Sequence, residues 1–184
     1  MTNRILLHII SALLIPMLLF ALFLFSFSRR EPPTSTDMRE FLDRHREDID
    51  LLVAFLMDLE YDDVFIDKRL NRDPGKVFYE LVYHDISSPE VEAGVRRLWR
   101  AGCLKIKKDD RGENNTIFFE LWSRTVGGVD CGIALTINGQ GTPKTEFQIL
   151  HEEIGDGWFY VYDDYEEYRC HPRQFEENQP WITP

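Results

Sequence analysis

CLKIKKDDRGENNTIFFEL, Cys103 to Leu121, is the stretch on which the fold turns. Leu104 and Ile106 alternate with Lys105 and Lys107, a period of two that belongs to a strand with one apolar and one wet face. Arg111 to Asn115 supply a polar turn, after which Ile117, Phe119 and Leu121 fall on one side of a second strand. Two alternating runs joined by a short polar link read as antiparallel neighbours.

The same period continues toward the C-terminus. Gly127-Gly128 punctuates, Ile133, Leu135 and Ile137 mark the next strand, and Asn138-Gly139 begins a turn. Phe147 and Ile149 follow, and Gly155-Asp156-Gly157 leads into Trp158, Tyr160 and Tyr162. The succession predicts an antiparallel meander of about five strands. Alternation separates Trp158, Tyr160 and Tyr162 from Phe159 and Val161, and the Trp158 set is expected to face the core.

Upstream the period becomes helical. Met38, Phe41, Leu42, Ile49, Leu52, Val53 and Leu56 predict a helix from Asp37 to Leu59, with Arg39, Asp43, Arg46, Glu47 and Asp50 on its wet face. Asp37 and Glu40 have capping-box spacing. Tyr61–Asp67 and Val77–His84 read as short strands around a turn at Asn71–Gly75. Ser88 and Pro89 open a second helix that carries Val91, Val95 and Leu98 and closes near Gly102. Two helices ahead of an antiparallel sheet make an α+β domain, the helices covering one sheet face.

Ile5 to Phe27 precede all of this: 23 residues without a charged side chain. As a helix they reach about 34 Å, enough to cross the hydrocarbon core. Pro16 predicts a small kink rather than a break, and Arg29-Arg30 a stop at the headgroups. A cleaved signal peptide competes, with Arg4 as its basic start and Ser26-Phe27-Ser28 as its cleavage region. The apolar run, however, exceeds the roughly 7–15 residues usual for one. The chain thus divides into a membrane anchor (1–28), a linker stiffened by Pro32 and Pro33 (29–36) and an acidic domain (37–184). Arg29, Arg30, Arg39, Arg44 and Arg46 follow the anchor against Arg4 before it, which places the domain in the cytoplasm by the positive-inside rule.

The 184-residue chain carries 32 acidic residues, 21 Lys and Arg, and a net charge of −11. Arg4 is the one charged residue before Arg29, so the domain is more acidic still. Such a domain repels phosphates, which argues against nucleic acid or an anionic lipid surface and for a basic protein partner. Cys103, Cys131 and Cys170 form no CxxC pair and read as buried or free thiols.

Each chemical motif is incomplete. Gly139–Lys144 (GQGTPK) lacks the phosphate-loop spacing and has no helix after it, so it reads as a hairpin turn. His151-Glu152-Glu153 lacks the second histidine of a zincin, and the side chains of Cys170-His171 point apart as neighbours do. No cofactor or metal is expected. The most unusual segment is Gly157–Tyr168 (GWFYVYDDYEEY), where Asp163, Asp164, Glu166 and Glu167 stand among aromatics, with Tyr165 and Tyr168 beside them. Aromatic faces next to carboxylates suit Arg, Lys or a quaternary amine. The expected function is therefore a membrane-tethered interaction module, an inhibitor, adaptor or sensor, that takes a basic partner on Asp163, Asp164, Tyr165, Glu166, Glu167 and Tyr168. The alternative is an enzyme with a hydrolytic or metal site. It would assemble from His84, His151, His171, Cys131, Cys170 and carboxylates, a Cys131–His151 dyad for example.

Overall fold

The computed structural model describes residues 17, 31–111, 115–124, 128–137, 139, 141–143 and 148–170. The chain divides into two units, Met1–Pro32 and Pro33–Pro184, and the fold below is that of the second. Apart from Met17, the expected spanning segment lies outside the described residues. Among those described, no helix is long and apolar enough to cross a membrane.

Thr34 opens the domain. Its side chain accepts from the Asp37 backbone N–H while the Asp37 carboxylate accepts from the Thr34 N–H at 2.8 Å, a reciprocal cap for α1 (Ser35–Arg44). The capping box therefore starts three residues earlier than the Asp37–Glu40 spacing suggests, and Asp37, the third helical residue, is its acidic partner rather than its start. The predicted long helix is also two. α1 stops at His45, which has φ −116° and ψ 18°, and α2 (Arg46–Asp58) starts anew. Neither Gly nor Pro marks that break, so the apolar stripe runs through it unaltered. α3 (Pro89–Ala101) forms as predicted: the Ser88 hydroxyl caps Val91 N–H, and Gly102 closes it at φ +111°.

Among the described residues eight strands form one antiparallel sheet: β1 (Asp63–Asp67), β2 (Lys76–Tyr79), β3 (Val82–Asp85), β4 (Lys105–Asp109), β5 (Thr116–Arg124), β6 (Val129–Thr136), β7 (Gln148–Gly155) and β8 (Trp158–Asp164). Their order is β3-β2-β1-β4-β5-β6-β8-β7. The domain is α+β with an antiparallel sheet, larger than the predicted five-strand meander and connected differently. Val77–His84 is not one strand but a hairpin. Glu80 and Leu81, at φ +51° and +65°, make a two-residue turn without the Asn-Gly or Gly that normally signals it. At the other end Gly155-Asp156-Gly157 folds β7 and β8 into a hairpin, and β8 takes the place beside β6. A pure meander would have put β7 there.

Helices α1, α2 and α3 contribute Met38, Leu42, Ile49, Leu52, Leu56, Val91, Val95 and Leu98 to one core with Ile66, Ile106, Ile117, Phe119, Ile133, Trp158 and Tyr160 of the sheet. Trp158 is 2% and Tyr160 6% exposed, facing the helices as their alternation predicts. Each fully buried aliphatic side chain contributes about 1.5–3 kcal/mol. The Arg97 guanidinium (α3) bonds the Asp48 carboxylate (α2) at 2.5–3.0 Å and fixes the two helices against each other. On the opposite sheet face Phe118, Ala134, Phe159 and Val161 form a second, smaller cluster.

Candidate functional site

Ladder register sets the polar groups of that opposite face in rows. One row crosses the sheet as Asp67, Lys105, Glu120, Gly132, Val161 and His151, and the next as Ser123, Asp130, Asp163 and Gln148. The two rows approach through a β-bulge between Glu120 and Trp122, which turns Ser123 to the same face as Glu120. Gly132 makes the approach possible, because a Cβ there would lie 1.9 Å from the Phe119 carbonyl oxygen.

Glu120 sits between Phe119 and Leu121 in sequence, yet its side chain is buried (2% exposed) together with that of Asp67. Arg69 serves both. Its Nη1 and Nη2 donate to Glu120 Oε1 and Oε2 at 2.7 and 3.0 Å, and its Nε and Nη2 to Asp67 Oδ1 and Oδ2 at 3.2 and 3.1 Å. Nη1 also reaches Ser123 Oγ at 3.3 Å, and Arg69 N–H donates to Asp67 Oδ1 at 2.8 Å. One guanidinium thus neutralises two carboxylates while Asp130 stands next to them. The consequences differ for the two acids. At Asp67 burial acts upward, but the Arg69 bonds overcome it and hold the carboxyl below its usual range. At Glu120 burial and then the Asp130 charge prevail over Arg69, and the carboxyl is pushed up to about 7.

Asp130 and Asp163 are direct cross-strand partners, two like charges where a pair of opposite charge would stabilise. Asp164 follows, and its Oδ1 accepts from Glu167 N–H at 2.9 Å, an N-cap for α4 (Tyr165–Cys170). Tyr165 N–H bonds the Gly128 carbonyl at 3.1 Å, which ties the start of α4 to the foot of β6. Of the residues expected to meet a partner, Asp163 and Asp164 are half-buried at the end of β8, and Tyr165 and Glu167 are exposed. The side chains of Glu166 and Tyr168 lie outside those described. The aromatic half of the segment goes elsewhere: Trp158 and Tyr160 are core, and Tyr162 is packed partly against it.

The scattered histidines and cysteines do not converge in the described part of the chain. Cys131 lies on the helix side of β6, hydrogen-bonded to Tyr160, and burial pushes its thiol up to about 12. His151 shares its row with Val161 and Gly132, one residue out of step with Cys131, so the two project from opposite faces. His84 is on β3, stacked on Tyr79 at 3.8 Å, and burial raises the fully buried Cys103 thiol. The Cys170 side chain and His171 lie outside the description. Among the described residues no three His, Cys, Asp or Glu side chains come together to hold a metal ion.

Sequence reading missed Asp67, Arg69, Glu120 and Asp130. The one available signal was Glu120 itself, an acid inside the apolar run Ile117–Trp122. Compared with family models, curated proteins and solved structures, the chain matches none.

Proposed function

We propose that the chain is a membrane-tethered interaction module whose acidic surface takes a basic protein partner. The anchor is the apolar run 5–27, and the arginines after it favour a domain facing the cytoplasm. The observation that supports the acidic surface is the Asp130–Asp163 cross-strand pair, with Asp164, Tyr165 and Glu167 continuing it onto α4. Carboxylates grouped on one surface offer a Lys or Arg from a partner charge-assisted bonds.

Asn caps a helix as well as Asp does, so Asp164→Asn removes charge without removing the cap. The full-length chain in nanodiscs is offered to solubilised native membranes and lysate at low and high salt. A specific basic partner is expected that is recovered at low salt, weakens about tenfold or more by 0.3 M salt, and is lost from an Asp163→Asn, Asp164→Asn, Glu167→Gln variant. Recovery that ignores both salt and these substitutions counts against the acidic surface. Paired C-terminal reporters, one active inside and one outside the cytoplasm, test the orientation.

A further inference from the structure

Among the described residues no strand pairs with the outer side of β3, and the register of the β2–β3 hairpin says which backbone groups face that side. A two-residue turn closes on a hydrogen-bonded pair, here Tyr79 with Val82, and such pairs alternate along the ladder. Ile86 N–H bonds the Gly75 carbonyl at 2.8 Å, four residues on, in phase with that alternation. Val82, His84 and Ile86 therefore turn their N–H and C=O toward β2, while Tyr83 and Asp85 turn theirs outward. Leu81 at the tip is 88% exposed, Val82 51% and Tyr83 42%. Two residues hold positive φ there without glycine, a local cost that keeps a large apolar side chain at the tip.

We propose that two copies of the chain pair through their β3 edges, antiparallel about His84, so that one sheet continues into the other. An added strand must set outward-facing residues opposite outward-facing residues. In a symmetric antiparallel pair this places Tyr83 opposite Asp85 of the second copy, His84 opposite His84, and Val82 opposite Ile86. Four backbone hydrogen bonds then form between the two Tyr83–Asp85 pairs, and Leu81 falls opposite Ser87. The charges fit this register. Lys76 Nζ already bonds the Asp85 carboxylate at 2.6 Å, so the edge brings no unpaired acid against its twin although each chain carries −11.

The area sets the strength. The exposed parts of Leu81, Val82 and Tyr83 from two copies amount to several hundred Å², short of the roughly 1,200 Å² of a stable interface. The pair is consequently weak in dilute solution and forms where a shared bilayer concentrates the copies. Net charge opposes it at long range, so pairing strengthens as salt rises, the opposite of the basic-partner docking proposed above.

Disulfide trapping of the full-length chain in lipid vesicles, in a Cys170→Ser background, reads the register directly. Residues opposite each other in a non-hydrogen-bonded pair lie about 4.5 Å apart at Cα, within disulfide reach. His84→Cys is expected to cross-link at least tenfold more than Tyr83→Cys or Val82→Cys alone. An equal mixture of Tyr83→Cys and Asp85→Cys chains should trap a heterodimer, which keeps the test independent of His84. Asp85→Pro removes an outward N–H without touching the β2 ladder, and should abolish trapping while the melting temperature holds. Equal trapping at positions 82, 83 and 84, no heterodimer from the mixture, or trapping unaffected by Asp85→Pro overturns the proposal.

Discussion

The two edges of the sheet, β7 and β3, are built on opposite plans. Seven interstrand steps of about 4.8 Å separate them by about 34 Å along the sheet. The β7 edge is guarded: its ladder to β8 is interrupted by two register shifts, Glu152 and Glu153 point charge outward, and α1 and α4 pack against it. The β3 edge is regular through all four of its pairs, carries Val82 and Tyr83 exposed, and has no bulge, lysine or proline. A sheet that blunts one edge with several devices and leaves the other regular, the acid of β3 (Asp85) already paired with Lys76, treats the second as a surface to be used. The difference also sorts the molecule. α1 belongs to the guarded end, where it packs against β6, β7 and β8.

Trp158→Ala gives the largest expected effect, because it empties the core under the guarded end. It should cost about 3–5 kcal/mol by chemical denaturation. Asp85→Pro at the open end should stay within about 0.5 kcal/mol. Comparable losses at the two ends would break the distinction between them.

Glu120 gives the next effect, and it appears in pH dependence. Its folded carboxyl is raised from an ordinary 4.5 to about 7, so the contribution it makes is fully present below pH 4.5 and is lost as pH rises to about 7. The shift corresponds to on the order of 3 kcal/mol. Denaturation between pH 5 and 8 should show wild type losing stability across this window and Glu120→Gln, which keeps an acceptor for Arg69, nearly flat. A parallel slope in both would remove Glu120 as the titrating group. Asp67, held low, acts in the other direction and only below its unfolded value of 3.8.

The sequence conveyed part of this architecture and not the rest. Period-two patterning exposed β4, β5, β6 and β8, because each sets large apolar side chains at every second position against the helices, although β5, β6 and β8 are also buried in part on the opposite face. β7 and the β2–β3 hairpin were legible only in part. β7 is bulged, which breaks the alternation around Ile149, and the hairpin turns on Glu80-Leu81, a pair with no turn signature. The Arg69, Asp67 and Glu120 constellation was invisible for a different reason. Its members are brought together by the β1–β4–β5 register, a property of pairing that no local spacing records. Asp163, Asp164, Tyr165 and Glu167 were legible as an acidic group, but their Asp130 neighbour came from across the strand.

The smallest effect sharpens the account of the open edge. Leu81→Gly should stabilise the domain by about 1 kcal/mol, since glycine adopts the left-handed turn without steric cost. Destabilisation instead would mean that the exposed Leu81 side chain contributes to folding and is not spare surface.

Residue-resolved amide hydrogen exchange along β3 tests the open edge most directly. With the full-length chain dilute in detergent, Tyr83 and Asp85 should exchange orders of magnitude faster than Val82 and His84, and in vesicles at high chain density they should become protected as their neighbours are. Tyr83 and Asp85 protected in dilute detergent, or unprotected at high density in vesicles, would contradict an edge that is open in the single chain and closed by a second copy.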